Sequence, residues 1–204
     1  GIGGWSVADL AGAMIAGVSP EGAHYYPVFP WDSYRGTRPQ DVADLHAYLA
    51  TLPPSATPSQ PHDLPLPFRL HRGLGLWKLA FGRAGWVVEA ADLTPAETRG
   101  RYLVEVLGHC GECHTPRNAL GAVDTARWLH GAPDPTGRGR IPGITPSQLR
   151  WSETEIAAYL QSGFTPEFDS AGGHMALVIA NLALLPEDDR AAIAAYLKRV
   201  PPAP

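Results

Sequence analysis

The segment Cys110-Gly111-Glu112-Cys113-His114 constrains this chain more than any other feature of its sequence. It has the spacing C-x-x-C-H, and its two cysteines are the only ones in the 204 residues. Two thiols three residues apart on a short helical turn can reach both vinyl groups of a porphyrin and form thioethers. The next residue then lies under the ring, where its imidazole binds the iron. The motif therefore predicts one covalent haem c, held by Cys110, Cys113 and His114.

Two other kinds of site use closely spaced cysteines, and the sequence disfavours both. A thioredoxin-like redox pair lies in a strand–helix context, whereas a predicted helix leads into this motif and Thr115-Pro116 follows it. A structural zinc site needs four ligands, and the chain has no second pair of cysteines.

The sixth ligand of the iron must come from elsewhere in the chain. Of the two methionines, Met14 lies inside a predicted helix, where core packing explains it. Met175 follows the flexible stretch Ala-Gly-Gly at 171–173, and a loop there can cover the second face of the haem. We therefore expect Met175 to be the ligand, with His174 and an open position as the alternatives. The choice matters because a methionine–histidine pair raises the reduction potential.

An internal repeat relates the start of the chain to its end. Trp5-Ser6 matches Trp151-Ser152 at an offset of 146, and the match resumes later at an offset of 148. Further matched residues are Gly17, Pro20 and Glu21 with Gly163, Pro166 and Glu167, and Asp41, Ala47, Tyr48, Leu49, Pro53 and Pro54 with Asp189, Ala195, Tyr196, Leu197, Pro201 and Pro202. Both copies predict a helix with a capping box at its start and a left-handed glycine at its end.

The haem motif has no counterpart in the first copy. A predicted helix begins at Thr94-Pro95-Ala96-Glu97 and runs into Cys110, but its equivalent would precede Gly1. The N-terminal half is therefore either an incomplete repeat or the remainder of a longer chain. Between the copies, 53–58 has the composition of a linker. A following apolar helical face is predicted either to pack the two halves together or to dock a partner; it consists of Leu70, Leu74, Trp77 and Phe81.

Composition excludes some classes of function. A net charge of −4 argues against a nucleic-acid partner, which favours a basic surface. The chain has no run of about 20 apolar residues, so no transmembrane segment is predicted. Gly1–Trp5 has no features of an export signal, which we expect to have been removed or to lie upstream.

Four stretches together carry a family resemblance: Gly1–Ser6, Tyr26–Trp31, Gly108–Asn118 and Asp189–Leu197. They resemble the cytochrome c subunits of bacterial periplasmic dehydrogenases. These are the multihaem subunits of alcohol, gluconate, sorbitol and fructose dehydrogenases, and of related molybdenum-containing aldehyde and N-heterocycle oxidoreductases.

The resemblance implies an all-α fold, a class I cytochrome c-like domain preceded by an incomplete and haemless cytochrome c-like repeat. Residues 1–66 would form the repeat, 67–93 an interdomain linker and helix, and 94–204 the haem-binding domain. In the family the helix that ends in C-x-x-C-H crosses the C-terminal helix. Gly100 matches the small residue at that crossing and Tyr196 its aromatic partner, while Met175 matches the distal ligand.

One departure from the family concerns the first domain. Phe29 stands where the family pattern Tyr-Pro-x-Met-Pro has methionine, and no methionine lies between Met14 and Met175. The first domain is therefore expected to hold no haem, or to hold one through another ligand, for which His24 is the candidate.

The resemblance implies electron transfer, with no catalytic residue in this chain. Electrons would come from a dehydrogenase catalytic subunit and pass to a quinone, an oxidase or a small cytochrome of the respiratory chain. The expected location is the bacterial periplasm, peripheral on the inner membrane. Two rivals are a haem enzyme, such as a peroxidase or a sulfur-compound oxidoreductase, and a non-catalytic assembly module. Arg117 and Trp151 are predicted to lie near the haem propionates, because their side chains are donors.

Overall fold

The computed structural model describes residues 1–60, 62–64, 71–83, 85–135, 137 and 139–202, and for His71 and Arg72 the backbone alone. The chain forms two compact units, Gly1–Gly85 and Trp86–Pro204, here called the N-terminal and C-terminal units. Helices dominate both, and within the described ranges the strands form a single two-stranded sheet. The predicted all-α class, with strands limited to short pairs, is confirmed.

The N-terminal unit has four α-helices in the part of the chain described. They are α1 (Val7–Ala11), which continues as a π-helical segment Gly12–Ala16, then α2 (Trp31–Tyr34), α3 (Pro39–Ala50) and α4 (His71–Phe81). Leu10, Met14 and Val42 form its buried apolar cluster. Trp31 is fully buried and meets the ring of Trp77 at a centroid distance of 6.3 Å.

Helix α4 packs within the N-terminal unit. The rings of Trp77 and Phe81 lie 5.4 Å apart, so two residues of the predicted apolar face join the aromatic packing. Lys78 donates to the carbonyls of Ala16 and Gly17 at 2.7 Å and 2.6 Å. These two bonds place the Lys78 ammonium at the C-terminal end of the π-helical segment that continues α1, where the helix dipole is negative. Leu70, the first residue of the predicted face, lies outside the described residues.

Five further helices form the C-terminal unit over the residues that the structure describes. They are α5 (Pro95–Tyr102), which continues as a π-helical segment Leu103–Leu107, then α6 (Gly111–His114), α7 (Glu153–Ser162), α8 (Gly173–Leu182) and α9 (Glu187–Leu197). A 3₁₀ turn, Thr125–Arg127, and the antiparallel strands β1 (Ala132–Pro133) and β2 (Arg140–Ile141) lie in the long segment between α6 and α7.

Helices α5 and α9 cross at Gly100, as the resemblance implies. A Cβ atom added to Gly100 would overlap the carbonyl oxygen of Ala192 and crowd the Cβ of Tyr196, so only glycine lets the two backbones approach this closely. One residue earlier, Arg99 forms a two-pronged ion pair with Asp189, with distances of 2.8 Å and 2.7 Å. The planar guanidinium matches the carboxylate, so this pair fixes the register of the crossing.

A buried carboxylate strengthens the same crossing. Glu105 is 1% exposed and accepts backbone N–H bonds from Val87 and Val88 at 2.7 Å and 3.2 Å. The hydroxyl of Tyr196, also fully buried, donates to the same carboxylate. Burial raises the pKa of Tyr196, and the neighbouring Glu105 charge raises it further, so the phenol stays protonated and serves as a donor.

Replacing Tyr196 by phenylalanine should lower the free energy of unfolding by about 2 kcal/mol, because the buried carboxylate loses a charge-assisted hydrogen bond. Urea unfolding followed by circular dichroism would measure this loss. Tyr48→Phe is the matched control, since Tyr48 is the repeat counterpart of Tyr196 and is 62% exposed; its effect should stay within about 0.5 kcal/mol. Equal effects for the two variants would contradict a special role for the Tyr196 bond.

The sequence repeat is also a structural repeat. Ser6 and Ser152 each form a capping box, with Asp9 and Glu155, and both boxes were predicted. Gly17 and Gly163 both have left-handed backbones, with φ of 59° and 76°.

The loops after these glycines match bond for bond at the same offset. Isolated bridges pair Val18 with His24 and Phe164 with Ser170. Tyr25 N–H donates to Gly17 O at 2.9 Å, and Ala171 N–H donates to Gly163 O at 2.8 Å. The two units therefore contain copies of one helix–loop module.

Candidate haem attachment site

The C-x-x-C-H motif sits on a short helix at the end of a longer one. Thr94 caps α5, and the π-helical segment carries the chain on to Gly108. His109 adopts a positive φ of 37°, which ends the helical run. The chain then turns into α6, where the N–H of His114 donates to the carbonyl of Cys110 at 3.0 Å. This single turn brings the two thiols and the imidazole onto neighbouring positions.

The two thiols are free and lack the lowered pKa of a redox pair. Cys110 is partly buried and Cys113 is exposed. Burial raises the pKa of the Cys110 thiol to about 12, and burial followed by the Glu112 charge raises the pKa of Cys113. Redox cysteines need a lowered pKa because the thiolate is the nucleophile. Both thiols instead have a raised pKa, which disfavours the thioredoxin-like alternative.

His114 is oriented for metal binding through its Nε2 atom. Its Nδ1 lies 2.8 Å from the carbonyl oxygen of Pro142, which can only accept, so Nδ1 carries the proton. Nε2 is then left with a lone pair. Burial lowers the pKa of His114, while the bond to Pro142 opposes this in part, so the ring is neutral at pH 7. Such a bond to the second nitrogen is typical of histidines that bind metals.

The backbone around the motif is fixed by close packing. A Cβ atom on Gly111 would overlap the indole ring of Trp128, so α6 lies directly against that ring. Thr115 is 1% exposed, and its hydroxyl accepts the N–H of Leu129 at 2.9 Å. The N–H of Gly131 donates to the carbonyl of His114 at 2.6 Å. The segment after α6 therefore folds back and holds His114 in place.

Met175 is the third residue of α8 and is partly buried. It packs against the large apolar cluster of the C-terminal unit, and Cys110 and Trp151 pack against that same cluster. His174, the competing ligand, is exposed. Trp151 also contacts Tyr159, with a ring distance of 5.1 Å. The structure thus associates Met175 and Cys110 with one core, and the assignment of Met175 as a ligand stays a prediction.

Arg117 lies beside the motif but its guanidinium is engaged locally. It forms an ion pair with the Glu112 carboxylate and donates to the carbonyl of Gly121 at 2.9 Å. Its predicted role near the propionates, like that of Trp151, stays a prediction.

Sequence reasoning missed two parts of this site. The carbonyl of Pro142 fixes the His114 tautomer, yet any residue supplies a carbonyl, so no residue type marks it in the sequence. The packing of Trp128 on Gly111 was missed too, although a glycine between two attachment cysteines is a signal of close approach.

The donor set fits a haem c. Two free thiols flank one helical turn, a neutral imidazole presents Nε2, and a thioether packs against the core that one thiol also contacts. The described residues contain no cluster of three or more His, Cys, Asp or Glu side chains that could hold a different metal.

Comparison with known proteins identifies the family, although no protein-family model matches the chain. A protein named diheme cytochrome c-type, from Cereibacter sphaeroides, is 63% identical over 201 residues, which cover 98% of this chain and 68% of that protein. The fructose dehydrogenase cytochrome subunit of Gluconobacter japonicus is 38% identical over 98% of the chain and 42% of its own length. The gluconate 2-dehydrogenase cytochrome c subunit of Pantoea cypripedii is 35% identical over 97% and 48%.

These names correct one prediction and establish the family. The prediction of a single covalent haem is wrong, because the 63% identical relative is named for two haems. The prediction counted the C-x-x-C-H motifs in these 204 residues, and that count gives only the haems attached through them. The chain spans 68% and 42% of the first two relatives, which are longer than it is. The haemless state of the N-terminal repeat is not confirmed. These relatives are named as cytochromes or as cytochrome subunits, and none of the three is named as a catalytic subunit. The chain therefore belongs to this family of haem-binding, electron-transferring c-type cytochromes.

Proposed function

We propose that the protein takes electrons from a periplasmic dehydrogenase and passes them towards the respiratory chain. The observation that carries this proposal is the motif geometry, in which two attachable thiols lie on one helical turn with His114 presenting Nε2. The relatives named as dehydrogenase cytochrome subunits support the choice of donor.

The residues of the site have different roles in holding a redox group. When bound, haem iron supplies one-electron chemistry by cycling between its ferric and ferrous states. Cys110 and Cys113 attach the group covalently, and the Pro142 carbonyl keeps the His114 ring in one orientation and one tautomer. Met175 contributes a neutral thioether, which favours the ferrous state. No side chain here needs to move a proton.

The donor is a dehydrogenase catalytic subunit, and the acceptor is a quinone, an oxidase or a small cytochrome. The location is the periplasm, with peripheral attachment to the inner membrane. Within the described ranges, none of the helices has the length and apolar character that a bilayer crossing requires. Rapid-mixing measurement of haem reduction by a catalytic subunit and its substrate tests the proposal. A ferric protein that no such subunit reduces within the turnover time would overturn it.

Two haems per protein form a second part of the proposal. Tyr196 on α9 and Val200, three residues beyond the end of that helix, are 0% and 2% exposed, and α5 packs against Tyr196. Their counterparts, Tyr48 on α3 and Leu52 two residues beyond its end, are 62% and 45% exposed. A motif-bearing helix like α5, supplied from outside these 204 residues, would cover that face and bring the second haem. The diheme relative supports this reading.

Arg117 and Trp151 are proposed to lie next to the propionates of the haem at Cys110 and Cys113. A propionate would compete with Glu112 for the Arg117 guanidinium, which already forms a salt bridge there. Trp151 packs against the same apolar core as Met175.

Met175→Ala should remove the weak far-red band of methionine–iron charge transfer and lower the reduction potential, because the iron loses its thioether. Absorption spectra of the ferric protein and a redox titration would measure both changes. His174→Ala is the matched control on the neighbouring, exposed residue, and it should leave band and potential unchanged. High-spin iron in His174→Ala together with an unchanged spectrum in Met175→Ala would reverse the assignment.

A further inference from the structure

The loop after α7 has a phenylalanine at a position whose backbone suits glycine. Phe168 has a φ of 65°, and its counterpart in the first copy of the helix–loop module, at the offset of 146, is Gly22 with a φ of 83°. The N–H of Phe168 donates to the carbonyl of Thr165 at 3.0 Å, as the N–H of Gly22 donates to the carbonyl of Ser19 at 2.9 Å. A left-handed backbone is unfavourable for a bulky side chain, so this position is strained in the second copy and relaxed in the first.

Packing does not offset the strain at Phe168. Its ring is 90% exposed, although burial is what a phenyl side chain contributes to a fold. Phe164 in the same loop is also exposed. The first copy forms the same loop with glycine, so the fold itself does not require this ring. An observed backbone outlier of this kind points to function, and exposed aromatic rings are typical anchors of protein interfaces.

Two carboxylates border the exposed ring. Glu167 and Asp169, the chain neighbours of Phe168, are both exposed. An anionic lipid surface would repel them. A second copy, in a two-fold interface centred on this loop, would bring the same carboxylates against each other. A partner protein with an apolar pocket and a basic rim is complementary to both the ring and the carboxylates.

The loop is close in the chain to the proposed distal ligand. Met175, the third residue of α8, lies seven positions after Phe168. Burial raises the pKa of Tyr159 and the charge of Asp169 raises it further, so the loop carboxylate lies near that phenol. Tyr159 and Met175 pack against the same apolar core. A protein bound at this loop would therefore be next to the segment that carries the proposed ligand, which suits a partner in electron transfer.

We propose that the loop 164–170 is the docking site for the dehydrogenase catalytic subunit, with Phe168 inserted into an apolar pocket that basic side chains border. This inference rests on the proposed function, which names that subunit as the electron donor. Phe168 is the anchor, because a phenyl ring loses most when water surrounds it. Glu167 and Asp169 steer the approach, because charges of opposite sign raise the association rate at low ionic strength.

Rapid mixing of the full-length holoprotein with the catalytic subunit and its substrate tests the docking site. Phe168→Gly, which introduces the residue of the first copy, should lower the second-order rate constant of haem reduction about tenfold. It should leave the haem spectrum and the reduction potential unchanged. It should not lower the midpoint of urea unfolding, because glycine relieves the strain. Val28→Gly is the control at a loop residue of the N-terminal unit that is 83% exposed, and it should leave the rate constant unchanged.

The two carboxylates provide a second measurement. Glu167→Gln combined with Asp169→Asn should lower the rate constant at low ionic strength and flatten its decrease as salt is added. An unchanged salt dependence would overturn the charge complementarity on which the choice of partner rests.

The other outcomes distinguish this inference from the proposed function. Equal rate constants for the wild-type protein and Phe168→Gly would overturn the docking site and leave the proposed function standing. A changed haem spectrum in Phe168→Gly would mean that the ring contacts the haem, and a lower urea midpoint would mean that it supports the fold; either would refute the docking role. A wild-type dimer that Phe168→Gly dissociates, seen by sedimentation, would assign the loop to a second copy instead. A wild-type protein that no catalytic subunit reduces would overturn the proposed function and this inference with it.

Discussion

Replacing Cys110 and Cys113 together by alanine is expected to remove the covalent haem of the C-terminal unit completely. The chain contains no other cysteine, so no thiol within these 204 residues can form a thioether in their place. His114 and Met175 would remain, and they could still hold haem reversibly, but that haem would be lost on denaturation. The intact mass of the denatured protein should fall by one haem, and its pyridine haemochrome absorbance should fall in proportion.

Glu112→Ala is the control for this experiment, because Glu112 lies between the two cysteines but offers no thiol. It removes the ion pair to Arg117, an exposed pair that contributes at most about 1 kcal/mol, and should leave the covalent haem in place. Each single cysteine variant should keep one thioether and show a shifted haem spectrum. A double variant with an unchanged haem mass would mean that this motif attaches nothing, and the assignment of the site would fall.

The sequence predicted those parts of the fold that depend on local chemistry. Ser6 with Asp9 and Ser152 with Glu155 form capping boxes because both partners lie within one turn of each other. The left-handed ends at Gly17 and Gly163 were predicted for a similar reason, since glycine adopts a positive φ without steric cost. Such features need only a few neighbouring residues, so they can be recognised without knowing the tertiary structure.

Features that depend on distant partners were not predictable in the same way. Glu105 carries a charge on a helix, which normally indicates solvent, yet it is buried because Val87, Val88 and Tyr196 supply three donors. The bond from His114 to Pro142 spans 28 positions along the chain and uses a backbone atom. The crossing at Gly100 was predicted only through the family resemblance, because a glycine within a helix does not by itself indicate its neighbour.

Gly100→Ala is expected to destabilise the C-terminal unit by about 3 kcal/mol, although alanine is the better helix former. The added methyl group would overlap the carbonyl oxygen of Ala192 and the Cβ of Tyr196, so α5 and α9 would have to separate. That separation would weaken two further interactions, the ion pair of Arg99 with Asp189 and the bond from Tyr196 to Glu105. The midpoint of urea unfolding, followed by circular dichroism, should fall accordingly.

Gly73→Ala makes the same substitution inside another helix and is the control, because its effect on stability should have the opposite sign. Gly73 lies in α4, and apart from its own helix backbone and chain neighbours no described residue has an atom within 4 Å of an added Cβ, so alanine there should stabilise the N-terminal unit by about 0.5–1 kcal/mol. Opposite signs for the two variants would show that the packing at the crossing, and not helix propensity, sets the cost at Gly100. If Gly100→Ala were also stabilising, the close approach of α5 and α9 would be refuted, because no helix can accept a methyl group in the space of a carbonyl oxygen.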